Sequence, residues 1–266
     1  MTNEIRGGMK KKVQEFAKHL ELIGMDNLPE IKEGDDLTAL FLNALEEKDM
    51  GLEGGDAIVF TSKIVSKSEG RVVDLLEVEV GEVAEQMAKD TDKDPRIAQL
   101  VLNEAKGVVR KMRNHIIVET KHGFVCANAG VDESNVEQGK AVLLPKDPQR
   151  SAYLLKQGLE RRSGVEISVL LSDSFGRAFR DGVTGTCMGV SGIPALLDRR
   201  GEEDRFGKVA MVTKEAIADE ICAAANIIMG EFKEGIPVVL VRGLKLKRCE
   251  SDIKEVLFPR EEDLFR

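Results

Sequence analysis

AVLLPKDPQRSAYLLKQGLERRSGVEISVLLSDS, residues 141–174, carries the fold class of this chain. A short apolar run gives way at Asp147 and Pro148 to an amphipathic stretch, and then to a second apolar run that stops on Asp173 and Ser174. Aspartate ahead of proline opens a helix: the carboxylate accepts from first-turn N–H groups, and proline brings no N–H that would go unpaired there. VEISVLLSDS, rich in branched aliphatic residues and flanked by Gly164 and Gly176, reads as a buried strand. The order is therefore strand, helix, strand.

The same alternation continues in both directions. Upstream, FAKHLELIG (16–24) alternates like a strand, and LTALFLNALEEK has helical spacing with Asp36 as its cap. Ala57 to Thr61 reads as a buried strand feeding a polar, loop-like segment that carries Lys63 and Lys67. Helical patterns cover Val83 to Lys89 and Asp94 to Lys106, and VVRKMR with HIIVETKHGFVCANAG suggests a hairpin or neighbouring strands with turns near Asn114 and Gly123. Downstream, GVTGTCMGVSGIP (182–194) reads as tight turns and close backbone packing, VAMVT as a strand, KEAIADEICAAANIIMG as a helix and IPVVLVRGL as a strand. The charged tail from Lys245 is expected to be peripheral. Helices and strands interleave throughout, which predicts an α/β, mixed α+β fold: two closely joined, interleaved subdomains over residues 16–266 and a flexible N-terminal extension over residues 1–15.

At 266 residues, 42% hydrophobic and 32% charged, the chain has ordinary globular composition and enough length for an extensive core. Its formal charge of -8 argues against a nucleic-acid partner, since phosphate contacts need a concentrated positive surface. A small anionic ligand would need local lysine, arginine or a metal ion. Cys126, Cys187, Cys222 and Cys249 form no CxxC pair and His19, His115 and His122 no HExxH, so no zinc site is indicated. Without a signal peptide or a long apolar span, the chain is expected to be cytoplasmic, with no membrane partner and with reduced thiols. The motifs GxxxxGK[ST], GxGxxG and GxSxG are all absent, which removes the P-loop, dinucleotide-fold and serine-hydrolase readings.

Four groups of residues carry candidate chemistry. TSKIVSKSEGR (61–71) puts Ser62, Lys63 and Lys67 at a strand end, where hydroxyls and ammonium groups can bind phosphate oxygens; the same residues suit an ordinary solvated loop. CANAGVDESNV (126–136) offers Asp132 and Asn135, which serve equally in turns and helix caps. Asp173 and Ser174 end an apolar strand, a common ligand position in α/β folds, with oxygen atoms that suit a hard cation. Glu231, just after a helix, opposes the helix dipole unless solvated or offset by a cation.

Taken together, LPEIKEGDDL, TSKIVSKSEGR, HGFVCANAGVDESNV, SDSFGRAFRDGVTG and ADEICAAANIIMGE, followed by GIPVVLVRGL, resemble the coenzyme F420-0 gamma-glutamyl ligase family in order and spacing from about Leu20 to Leu244. The resemblance implies a GTP-dependent amide ligase acting through an acyl phosphate, with L-glutamate and coenzyme F420-0 as substrates, and a homodimer. It implies magnesium or manganese, with potassium as a further candidate ion. Asp132, Asp173, Ser174 and Glu231 match the family's metal ligands. Leu28, Pro29, Glu30, Ile31, Ser62, Lys63, Lys67, Asn135, Met229, Gly230, Glu231, Phe232, Lys233, Glu234, Gly235 and Ile236 match its GTP-contacting positions. Ser174 stands where many relatives carry threonine, a change that keeps the hydroxyl. Arg177 is a candidate for binding an anionic substrate or the acyl phosphate, with a structural ion pair as the alternative. Two other readings remain: an amide ligase with a different carboxylate acceptor, and a non-catalytic GTP-binding regulator.

Overall fold

The computed structural model describes residues 17–263. In chain order the first elements are β1 (Glu21–Met25), α1 (Leu37–Glu47), β2 (Ala57–Thr61), α2 (Ser62–Ser68), β3 (Val72–Asp74), α3 (Glu82–Thr91) and α4 (Pro95–Glu104). Then come β4 (Ala105–Met112), β5 (His115–Thr120), β6 (Val125–Ala127), β7 (Lys140–Val142), α5 (Pro148–Ser163) and β8 (Ser168–Arg177). β9 (Arg180–Ser191), β10 (Leu197–Asp198), β11 (Lys214–Glu215), α6 (Ile217–Met229) and β12 (Val238–Arg242) complete the mixed α+β architecture.

A five-stranded sheet in the order β1-β12-β2-β8-β9 forms the centre, and β2 with β8 is its parallel pair. Strand side chains alternate between faces, and both faces of this sheet are covered, so its inner strands are apolar without interruption. In β2, Ala57 and Val59 join a core with α6, while Ile58 and Phe60 join one with α1 and α5. Fully burying each such large side chain contributes about 1.5–3 kcal/mol. Just before β2, Asp56 is 1% exposed and receives two hydrogen bonds from Arg242 of β12, at 3.0 and 2.8 Å. That fork pins the ends of two adjacent strands. A third core joins Ile97 and Val101 of α4 to Ile116 and Val118 of β5, beside the smaller sheet β4-β5-β6.

Several helix starts follow the expected chemistry: Asp36, Asp94 and Asp147 each accept from first-turn N–H groups. Other expectations need correction. The strand read from Phe16 occupies Glu21–Met25, leaving His19 outside it, and Phe16 lies outside the described residues, as does the N-terminal extension. The segment with Lys63 and Lys67 is helix α2, because Ile64 and Val65 pack into the core. The helix expected to reach Lys106 stops at Glu104, and Ala105 begins β4. GVTGTCMGVSGIP is mostly strand β9, hidden by its glycines. VAMVT is not a strand; Val209 makes one isolated bridge to Glu203, and Met211 and Val212 are exposed. Of AVLLP, only Ala141 and Val142 lie in β7, and the helix read from Lys214 starts at Ile217.

The tail is less peripheral than its charge implies. Ile253 is buried, Glu250 pairs with the buried Lys156 at 2.9 Å, and Gln149 bonds both Val190 of β9 and Ser251 of the tail. Gln149 and the tail thus cover part of the β9 edge, which would otherwise expose unpaired backbone groups. Among the described residues, no helix is long and apolar enough to cross a membrane.

Candidate functional site

A cleft of about 700 Å³ opens where β2 ends beside the middle of β8, which runs on through Asp173 and Ser174, still paired with β9, to Arg177 rather than stopping on them. Their parallel pairing brings Thr61 level with Ser172, so α2 on one strand and Asp173 and Ser174 on the other emerge at the same edge. Loops after β1, around residues 127–135 and after α6 form the remaining walls. A cleft of this size accommodates a ligand of nucleotide dimensions.

Asp173 sits low in this cleft. Burial pushes its carboxyl up to about 6, against the opposing effects of the Ser174 N–H and the Ser62 hydroxyl; the negative charge of Asp132 raises it further, while Lys63 lowers it. Asp132 behaves differently. Burial would raise it too, but the Lys63 ammonium and the Ser134 N–H and hydroxyl outweigh that and hold its carboxyl below the usual range. Lys63 Nζ lies 2.6 Å from Asp132 Oδ2 and 2.8 Å from Ser134 Oγ. The approach to Asp132 is conformationally costly: Asn128, Ala129 and Gly130 all have positive φ. At Gly130 a methyl group would come within 2.6 Å of Leu144, so glycine is required there. A non-glycine residue such as Ala129 in this region stores roughly 1–3 kcal/mol, which the packing around it must offset.

On the other side of Asp173, the Ser174 hydroxyl donates to Glu231 Oε1 at 2.6 Å, and Asn226 Nδ2 donates to the same atom at 2.9 Å. Glu231 is therefore held by hydrogen bonds across the helix end. At the rim, Lys67 pairs with Glu30 at 2.5 Å, and Asn135 Nδ2 donates to the Phe232 carbonyl at 3.1 Å. The cleft thus combines the ammonium groups of Lys63, Lys67 and Lys233 with carboxylates and hydroxyls. That set can offset a polyanion and also supply the oxygen donors a hard divalent cation takes. Among the described residues, no three His, Cys, Asp or Glu side chains form a compact metal-holding cluster; the oxygen donors run along β8 as neighbouring pairs.

The structure brings almost all the sequence-derived candidates to this one cleft: Leu28 to Ile31, Ser62, Lys63, Lys67, Asp132, Asn135, Asp173, Ser174, Met229 to Lys233, Gly235 and Ile236 line it. Two do not. Glu234 turns back on its own loop to accept from Phe232 N–H, and Arg177 lies exposed near the outer end of β8. Sequence reasoning missed Ser134, Asn128, Ser172, Asn226 and Val183, which also line it. Ser134 and Ser172 adjoin residues already singled out. Asn226 could have been found only as a polar residue one helical turn before Gly230, and Val183 only once β9 is recognised as a strand.

The family model described as F420-0:Gamma-glutamyl ligase matches residues 26–243 of this chain. A protein of Methanocaldococcus jannaschii named coenzyme F420:L-glutamate ligase is 44% identical over 249 residues, covering 94% of this chain and 98% of that protein. Similarly named proteins of Methanothermobacter thermautotrophicus and Archaeoglobus fulgidus are 42% and 40% identical, covering 93% of this chain and 99% and 96% of their own lengths.

Proposed function

We propose, from the premise that this chain belongs to the F420-0:gamma-glutamyl ligase family, that it joins L-glutamate to coenzyme F420-0 at the expense of GTP and with a divalent cation. The observation that carries this reading is the meeting, in one cleft, of Lys63 and Lys67 with Asp132, Asp173, Ser174 and Glu231 from four separate chain segments. In the proposed reaction, a substrate carboxylate oxygen attacks the γ-phosphorus of GTP and GDP leaves with the bridging oxygen. The glutamate amine then attacks the carbonyl carbon of the acyl phosphate. Inorganic phosphate departs, and the amine's proton passes to solvent as the amide forms.

Phosphoryl transfer depends mainly on positioning and charge neutralisation. Lys63 and Lys67 would exchange their present carboxylate partners for phosphate oxygens, and their charge would stabilise the transferring group. Asp132, Asp173, Ser174 and Glu231 would hold magnesium or manganese, whose positive charge would draw electron density from the phosphate oxygens. Their all-oxygen chemistry suits such an ion, and a cation there would offset the negative charge of Asp132 that adds to the effect of burial on Asp173. A homodimer belongs to the same reading through the family resemblance.

Incubating the protein with GTP, manganese or magnesium, L-glutamate and F420-0 is expected to release GDP and to increase the coenzyme's mass by one or more glutamyl residues. GTP binding with neither product would favour a regulator. GDP release only with another acceptor would favour a different amide ligase.

A further inference from the structure

The position of Glu231 depends on residues outside its own loop. Its Oε1 accepts from both Ser174 and Asn226, and among the described residues no side chain donates to Oε2. Two donors on one oxygen fix the carboxylate plane and leave the second oxygen to a ligand.

Asn226 is half-buried on α6, one turn before the Gly230 cap. The helix reaches this position by lying directly on β9 at Gly185, where a methyl group would come within 2.5 Å of the Cys222 carbonyl and 2.9 Å of Asn226 Cβ. Which residue of β9 lies under the helix is decided by a one-residue bulge: Leu171 pairs with Gly189 but Ser172 with Cys187, so Met188 is the extra residue. Cys187 and Met188, adjacent in sequence, consequently both reach the core on the α6 side. Beyond the bulge the side-chain parity is reversed, so Gly185 takes the place that threonine 184 or 186 would hold in an unbulged strand. Asp219, in the first turn of α6, accepts from the Cys187 N–H at 2.9 Å and ties the helix to the bulge.

We propose that Asn226 is a positioning residue for Glu231, set in place by the Gly185 contact and by the hold of Asp219 on the β9 bulge. This rests on the divalent-cation reading above, because the carboxylate being oriented is one of its ligands. The test is a Mn2+ titration of the full chain, with and without GDP, in which free Mn2+ is read by electron paramagnetic resonance and Tm is measured alongside. Asn226→Ala is expected to weaken Mn2+ binding about 10–100-fold with little change in Tm, as loss of an outer-shell partner does. Asp219→Ala should weaken it in the same direction, and Asp219→Asn, which keeps an oxygen acceptor, should restore it. If Glu231→Gln weakens Mn2+ binding but Asn226→Ala does not, the positioning role is overturned and the ligase reading stands. Wild-type protein that takes up no Mn2+ would overturn the cation reading and this proposal together.

Discussion

The floor and the rim of the cleft are built from different physics. The floor is the end of β2 and the neighbouring middle of β8, strands buried up to Thr61 and Ser172 on both faces and anchored at the far end of β2 by the Asp56–Arg242 fork. The rim is loop, held by polar contacts such as Glu30–Lys67 and Asn135 to Phe232, in which at least one partner is largely exposed. Apolar burial cannot be exchanged for a ligand without opening the core. Exposed ion pairs can, because each is worth only about 0–1 kcal/mol and an incoming phosphate offers the ammonium an equivalent partner. The floor is thus suited to hold geometry and the rim to rearrange around what binds.

The sharpest way to break that contrast is at the floor's anchor. Asp56→Ala leaves Arg242 partly buried without its main partner, and is expected to lower stability by about 3–5 kcal/mol in urea unfolding. A smaller loss, about 1–3 kcal/mol, is expected for Gly189→Ala, because the new methyl would come 2.2 Å from the Pro148 carbonyl, a backbone atom that moves only with α5.

Asp36→Ala probes the periphery of the same core, where α1 is capped and linked to Arg162 of α5. Losing the cap should cost about 1 kcal/mol at neutral pH. The Thr38 hydrogen bond is the main influence on the Asp36 carboxyl, which is lowered from 3.8 to about 2, with burial opposing and Arg162 and the Ala39 N–H assisting. Because the folded state holds the charged form, its contribution is present above pH 3.8 and fades as pH falls toward 2. The difference between wild type and variant, followed by unfolding at several pH values, should shrink over that window.

The smallest stability effect belongs to the rim. Glu30→Gln, at a side chain 75% exposed, should leave Tm nearly unchanged while tightening GTP binding in calorimetry, since Lys67 no longer has a competing carboxylate. A large loss of stability there would show that the rim is structural after all.

Legibility in the sequence followed the same division. AIVFT and VEISVLLSDS announced floor strands because an uninterrupted apolar run is what a doubly covered strand requires. Asp36, Asp94 and Asp147 announced helix starts because capping is a local interaction. β9 was hidden because its glycines answer to neighbours distant in sequence: Gly185 to α6 and Gly189 to α5. VAMVT misled because a short apolar run looks the same whether buried or exposed. Among the cleft residues, those adjoining an apolar strand or a motif could be singled out, whereas Asn226 offered no signal beyond being a polar residue in an apolar helix one turn before Gly230.

By itself, then, the sequence determined the mixed α+β class, the main strands and helix caps, and the supply of lysines, carboxylates and hydroxyls, since these depend on composition, periodicity and local hydrogen bonding. Only the tertiary structure decided that Lys63 meets Asp132, that Ser174 meets Glu231, and that Arg177 and Glu234 stand outside the cleft. Those outcomes depend on strand order, on a single bulge and on how closely α6 approaches a glycine, none of which leaves a periodic trace in the chain.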